Sequence, residues 1–250
     1  MKIDLTQKVA LVTGSSKGIG AAIAKQLAAC GAITIVNYNT AAADAEDVVK
    51  QIRDAGGQAT AIQADVSKHT DIIRLFTQVK NLYGKLDILV NNAAIARFGP
   101  IEAVTEADFL EQYRINVLGP ILTIQESLKC FPLTGGSIIN ISSVGGQNPG
   151  PFTSVYTSSK AAVNALTVSL SRELASRNIR VNTVAPGPTD TEGSRSLGLA
   201  GTDIEKTMIS AIPMGRFGKP DEVAPAVAFL AADNAAWITG EKLAVSGGMR

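Results

Sequence analysis

Short, almost continuous apolar runs alternate along the chain with longer stretches in which apolar residues recur every three or four positions. The runs cover Val9 to Thr13, Ile33 to Asn37, Gln58 to Gln63, Leu86 to Val90, Ser137 to Ile141, Arg180 to Val184 and Lys242 to Val245. Their length and β-branched content predict strands, and their near-continuous apolar character predicts strands covered on both faces. The periodic stretches predict helices over Gly18 to Cys30, Asp44 to Ala55, Thr70 to Tyr83, Glu106 to Cys130, Tyr156 to Arg177 and Pro220 to Ala232, with Gly31 a stop signal after the first. Strands and helices alternating in this way build βαβ units and a parallel sheet. The expected architecture is α/β, a doubly wound sheet of seven parallel strands with helices on both faces. Ligands bind such a sheet at the carboxyl ends of its strands, where the strand order reverses. Only Pro186 to Gly218, rich in Gly, Pro, Ser and Thr, breaks the rhythm. A loop of that length commonly serves as a lid, so residues 187–218 are expected to form one. With no internal repeat, low-complexity tract or linker, residues 1–250 read as one domain.

Composition narrows the partners. The 250 residues are 46% hydrophobic, enough for one large buried core. The formal net charge is +1 and the 23 basic residues are scattered, which leaves no footprint for nucleic acid or an anionic membrane. The default partner is a small soluble molecule. Cys30 and Cys130 are the only cysteines, and their spacing fits neither a disulfide scaffold nor a zinc site; both are expected as small core residues. No segment offers the roughly 20 apolar residues of a membrane span and no apolar region follows the first residues, so a cytosolic location is expected.

Candidate chemistry falls where the strand pattern places it. Thr13-Gly14-Ser15-Ser16-Lys17-Gly18-Ile19-Gly20 lies between the first strand and the first helix. A glycine-rich turn there brings backbone close to a pyrophosphate at a helix N-terminus. The glycine spacing alone is equally that of any tight strand-to-helix turn. Two further strand ends point the same way. Asp65-Val66 closes the third strand, where the carboxylate could accept from an adenine amino group. Asn91-Asn92-Ala93-Ala94 closes the fourth, where small residues let a ribose lie against backbone. Each could also be a simple turn.

Tyr156 and Lys160 open the fifth long helix at i, i+4, which sets phenol and ammonium on one face. A free tyrosine titrates near ~10, so acid/base work near neutrality needs a cation beside it, and Lys160 is expected to supply one. Ser143 ends the fifth strand, where its hydroxyl could hold a substrate carbonyl and stabilise charge growing on that oxygen; Ser142 is its rival. Asn116 lies within a predicted helix and could be a solvent-facing amide. It could instead kink that helix and hold a water linking Lys160 to solvent.

Taken together, TGSSKGIG, the NNAA run, Asn116, Ser143, the Tyr156/Lys160 pair and Pro186-Gly187 resemble the short-chain dehydrogenase/reductase family along the whole chain. The resemblance implies a Rossmann-type fold, a catalytic set of Asn116, Ser143, Tyr156 and Lys160, and a homotetramer. It also implies cofactor contacts from Gly14, Ser16, Lys17, Gly18, Ile19 and Gly20, from Asn37, Tyr38 and Asn39, and from Asp65, Val66, Asn92, Ala93 and Ala94. Tyr156, Lys160, Pro186, Gly187, Thr189 and Thr191 complete that set. Three positions depart from the family pattern. Ala94 replaces a glycine, which requires its φ to stay negative; Thr189 stands where Ile or Val is usual, and Ser246 replaces an Asp.

Rival chemistries lack parts. A hydrolase built on Ser143 needs a histidine base, and the single histidine, His69, follows the wrong strand. A metal site lacks ligands. A non-catalytic dinucleotide-binding regulator would not need the four catalytic residues. Within the family the chain resembles 3-oxoacyl-acyl-carrier-protein reductases and, as an alternative, sugar and small-ketone dehydrogenases. Where carrier-protein reductases commonly present two basic residues, this chain has Thr134 and Arg177. Substrate walls are expected from Ala94 to Phe98, Ser143 to Phe152 and the loop after Pro186, with Gln147 and Asn148 as polar points. No acid follows the second strand before Asp44, and Lys17 can offer an ammonium, so NADP(H) is the expected cofactor with NAD(H) possible. The expected reaction is reduction of a 3-oxoacyl or small carbonyl compound to a secondary alcohol, with Tyr156 as general acid.

Overall fold

Seven strands pair in one parallel sheet, at almost the predicted bounds. They are β1 Val9–Val12, β2 Ile33–Tyr38, β3 Gln58–Gln63, β4 Ile88–Asn91, β5 Gly136–Ile141, β6 Ile179–Pro186 and β7 Lys242–Val245. The computed structural model describes residues 3–195 and 201–249. The strand order is β3-β2-β1-β4-β5-β6-β7. From β1 the chain winds outward to β3, crosses back, and winds outward again from β4. The reversal therefore falls between β1 and β4, the switch point of a Rossmann-type sheet.

Side-chain alternation along each strand sorts the core into two layers. Val12, Val36, Val90, Ile139 and Val184 face the layer holding α1 (Gly18–Ala29), α2 (Ala42–Asp54) and α9 (Pro220–Ala231). Leu11, Ile35, Leu89, Ile138 and Val181 face the layer with α3 (His69–Tyr83) and α5 (Gly119–Ser127), and Leu174 joins it from the end of α6 (Ser154–Leu174). Cys130 is buried and Cys30 only half-buried, so the second is less of a core residue than expected; both are free thiols.

The predicted long helix from Glu106 to Cys130 is divided. α4 (Glu106–Tyr113) runs into a π-helical turn over Arg114–Leu118, and α5 begins at Gly119. Pro120 explains the break, because it has no N–H to return to the carbonyl of Asn116 one turn earlier. Gly119 also comes close to β3's exit, where an added Cβ would stand 3.1 Å from the Val66 carbonyl. The loop after β6 contains two short helices, α7 (Glu192–Arg195) and α8 (Asp203–Ser210), and its ends meet in a bridge between Thr189 and Gly218. Residues 196–200 of the expected lid lie outside the described residues.

On the α6 side of the sheet, two residues beyond Leu89, Ile138 and Val181 on their strands, the apolar rows give way to a polar one. Thr123 donates to Asn91 (2.7 Å), Asn91 to Asn140 (3.0 Å) and Asn140 to Thr167 of α6 (2.9 Å), while Thr167 shares a proton with Thr183 (2.8 Å). All five side chains are buried. The row docks α6 onto β4, β5 and β6. Replacing Asn140 with Leu strands the Asn91 amide, at a cost of about 2 kcal/mol. The expected outcome for Asn140→Leu is a lower midpoint in urea with an unchanged slope; an unaltered midpoint would refute the docking role.

Candidate active site

The turn after β1 is shaped by what it must approach. Gly14 and Gly18 have φ of +59° and +55°, a region that L side chains rarely adopt. A Cβ on Gly14 would stand 2.8 Å from the Ala93 Cα. Thr13 closes the seam between β1 and β4: its buried hydroxyl oxygen accepts from the Asn92 and Ala93 amides at 3.0 and 3.1 Å. The Asn92 side chain returns the bond, donating to the Thr13 and Gly14 carbonyls at 2.9 Å each. Ala94 keeps the negative φ that its departure from glycine requires.

A cleft of about 470 Å³ opens at this seam. Gly14, Lys17, Gly18, Ile19, Gly20, Asn37, Asn39, Asp65, Val66, Asn92, Ala93, Ala94 and Thr191, all expected site residues, line it. Ala64, Ile95, Ile115, Glu192 and Gly193 line it as well; Ala64 and Ile115 were not expected, while Ile95, Glu192 and Gly193 belong to segments expected as substrate walls. Ser16, Pro186, Gly187 and Thr189 stand outside the lining. Gly187 is instead fitted to β7, since a Cβ there would stand 2.9 Å from Ser246. Tyr38 also lies outside the lining, half-buried at the end of β2. Strand alternation sends Asn37 and Asn39 to the cleft and packs Tyr38 against the core layer of α1 and α2.

Several polar groups at the cleft are already engaged. Asn37 is buried; its Oδ1 accepts from the Gly14 amide at 3.1 Å and its Nδ2 donates to the Ile62 and Ala64 carbonyls. Asp65 accepts from the Ser67 amide and hydroxyl at 2.9 and 2.7 Å. Burial pushes its carboxyl up, but the Ser67 bonds and Lys68 outweigh this and hold it below the usual value. Lys17 pairs with Asp44 at 2.9 Å. The first turn of α1 has no side-chain cap, so its amides and the dipole behind them face the cleft as an anion site. The two left-handed glycines, the uncapped helix and the single cation among the described lining residues fit the pyrophosphate and phosphates of a dinucleotide.

Next along the same sheet edge lie the residues expected to react. Ser142 and Ser143 separate cleanly. Ser142 is buried and donates to the Lys160 carbonyl at 3.0 Å, a structural bond. Ser143 is half-buried and accepts from the Gly145 amide at 3.1 Å, and its hydroxyl lowers the titration of the Tyr156 phenol. Asn116 sits inside the π turn, so the helix is interrupted there, and its side-chain amide makes three bonds within the protein. Its Nδ2 donates to the Ile95 carbonyl (2.9 Å) and Ser159 Oγ (3.1 Å), and its Oδ1 accepts from the Ile95 amide (2.9 Å). The side chain thus clamps the exit of β4 to α6.

Lys160 is 3% exposed, donates to the Ile141 carbonyl at 3.0 Å and lies 5.8 Å from the centre of the Tyr156 ring. Burial pulls its ammonium down to about 8. Burial also pushes the Tyr156 phenol above its ordinary value, with the Ser143 hydroxyl pulling the other way. The expected lowering of the phenol by Lys160 therefore does not prevail in the protein alone: desolvation does, and it keeps the phenol protonated. Phe98 meets the Tyr156 ring edge-on, with centroids 5.5 Å apart at 87°. Phe152, exposed and at φ +64°, accepts from the Gly99 amide at 2.9 Å and so ties the two wall loops together. Gln147 and Asn148 are exposed.

A glycine turn at the switch point of a parallel sheet, followed along one edge by a Tyr/Lys helix, defines a nicotinamide-dependent oxidoreductase. A family model described as enoyl-(acyl carrier protein) reductase matches residues 14–250. An uncharacterized oxidoreductase of Methylorubrum extorquens is 48% identical over 246 residues, 98% of this chain and 99% of that protein. The 3-oxoacyl-(acyl-carrier-protein) reductase of Staphylococcus aureus is 40% identical over 243 residues, 97% of this chain and 98% of its own. A crystal structure of a short-chain dehydrogenase from Burkholderia cenocepacia in complex with NADP superposes with a TM-score of 0.91 at 38% identity, covering 98% of both chains. The chain belongs to the short-chain dehydrogenase/reductase family.

The buried lysine carries a pH signature. An unfolded lysine titrates near ~10.4, whereas Lys160 in the fold does so at about 8. Between these values the unfolded chain holds a proton that the native state has lost, so native stability rises with pH across that window. Below it, both states are protonated and the full cost of the buried charge is felt. Lys160→Met removes this dependence. The wild type should therefore gain stability relative to the Met variant by up to roughly 3 kcal/mol between pH 8 and 10, read from urea unfolding at each pH; parallel curves would refute the burial of a titrating ammonium.

Proposed function

We propose that this enzyme reduces the carbonyl of a small ketone or 3-oxoacyl compound to a secondary alcohol, with NADPH preferred to NADH. The observation that carries the reading is the Tyr156 phenol, kept protonated by burial and set on α6 with the buried Lys160 ammonium 5.8 Å from its ring centre, on the same sheet edge as the dinucleotide cleft. Bound NADPH supplies a hydride to the carbonyl carbon. Ser143 donates to the carbonyl oxygen and orients it, and Tyr156 gives that oxygen its phenolic proton as negative charge grows there. The Lys160 ammonium, largely charged below about pH 8, stabilises the phenolate left behind. Asn116 acts as a positioning residue by holding Ile95 against α6.

Phe98 and Phe152 make the entrance apolar, which favours a ketone with a hydrocarbon substituent over a sugar. Arg177, one of the two positions at which a carrier protein would be met, donates to the Leu128 carbonyl at 3.0 Å. The other is Thr134, so a free small molecule or thioester is the better substrate. The NADPH preference rests on Lys17, the only Lys or Arg among the described lining residues, and on the absence of an acid at the end of β2. Tyr156→Phe should lower turnover on acetoacetyl thioesters or simple ketones by about 10² to 10⁴ while leaving cofactor binding within about twofold. A Phe variant retaining a tenth of wild-type rate, or a wild type that oxidises glucose and reduces no ketone, would overturn the reading.

We further propose a homotetramer. Leu118 on the π turn, Val168 on α6 and Leu243 on the edge strand β7 are each about 40% exposed, and Trp237 is almost fully so. Apolar groups on two helices and on an uncovered strand are the surface a symmetric assembly would bury. Light scattering at micromolar concentration should return the mass of four chains; a monomeric mass would refute it.

A further inference from the structure

Lys17 occupies the N-cap position of α1, a place where a cation meets the positive end of a helix dipole. It needs an anionic partner, and it has found one. Asp44 lies in the first turn of α2, where the dipole favours a carboxylate, and its Oδ2 stands 2.9 Å from the Lys17 ammonium. Lys17 lines the dinucleotide cleft and Asp44 does not. The one cation available to an adenosine 2′-phosphate is therefore already held by an acid from outside the cleft.

We propose that Asp44 is a specificity-determining residue, competing with the 2′-phosphate of NADP(H) for Lys17 and so limiting the preference of this enzyme for NADPH over NADH. The inference rests on the cofactor reading above and adds to it the residue that sets its strength. The 2′-hydroxyl of NADH makes no claim on Lys17, so its binding is indifferent to the pair. A 2′-phosphate must take the ammonium from Asp44 and then sit beside the carboxylate it has displaced. The two side chains are about half exposed, 51% and 45%. An exposed pair of that kind is weak, so the competition is a matter of a few-fold in affinity and not a lock. Asp65 and Glu192 are the acids among the described lining residues, and neither is paired with Lys17.

The test compares 2′,5′-ADP with 5′-ADP, which differ by the one phosphate, in calorimetric titrations of the wild type, Asp44→Asn, Lys17→Gln and the double variant. Asp44→Asn should tighten 2′,5′-ADP by three- to tenfold and change 5′-ADP by less than twofold, the second ligand also reporting that the site is folded. In the Lys17→Gln background, Asp44→Asn should yield less than half of that gain on a logarithmic scale. A gain below threefold, or a loss, overturns the proposal. So does a gain that persists at half or more without Lys17, since Asp44 would then act on the phosphate directly. A wild type that binds 2′,5′-ADP no tighter than 5′-ADP overturns the NADPH preference, while the role of Asp44 is still decided by the variant. Failure of the wild type to bind either nucleotide overturns both.

Discussion

The β1/β4 seam is the constraint on which the site depends. Two parallel strands that lie side by side but lead their chains in opposite directions leave a crevice beyond their carboxyl ends. Thr13 and Asn92 keep that crevice from unzipping into the sheet. One hydroxyl accepts two amides from the exit of β4, and one carboxamide donates to two carbonyls at the exit of β1. With the strands stitched, Gly14 can run so close to Ala93 that a side chain has no room. Backbone, and not side chain, then forms the floor of the cleft.

The residues proposed to react depend on a second anchorage. α6 must hold Tyr156 against the cleft while burying a lysine, which is costly unless the ammonium finds partners. The sheet supplies them at both ends. The Ile141 carbonyl takes the Lys160 ammonium, Ser142 holds the helix backbone at Lys160, and Thr167 docks onto Asn140 and Thr183 two turns further on. The same burial that pulls Lys160 down pushes Tyr156 up. A protonated phenol beside a charged lysine is the state a proton donor requires before reaction.

Much of this was legible in the chain. Strand and helix positions came within a few residues, because strands buried on both faces are continuous in apolar residues and helices are not. The Gly14/Gly18/Gly20 turn, the Tyr156/Lys160 spacing and the strand-end positions of Asp65 and Asn92 could be placed from order alone, since a doubly wound sheet brings the exits of its strands to one edge. The bend at Asn116 was foreshadowed by Pro120, which cannot complete the helix.

Tertiary structure decided what order leaves open. It buried Ser142 and left Ser143 half-exposed, packed Tyr38 against the outside of the core, used the Asn116 amide for Ile95 and Ser159, and set Lys17 against Asp44 across 27 positions of sequence. In the protein alone it also let burial outweigh the other influences on the Tyr156 phenol. These outcomes share a cause. Periodicity and motif spacing report which face of its own element a residue occupies. Hydrogen-bond partners, burial and charge pairing depend on what another element brings to that face, through distances of a few ångströms that no local pattern records.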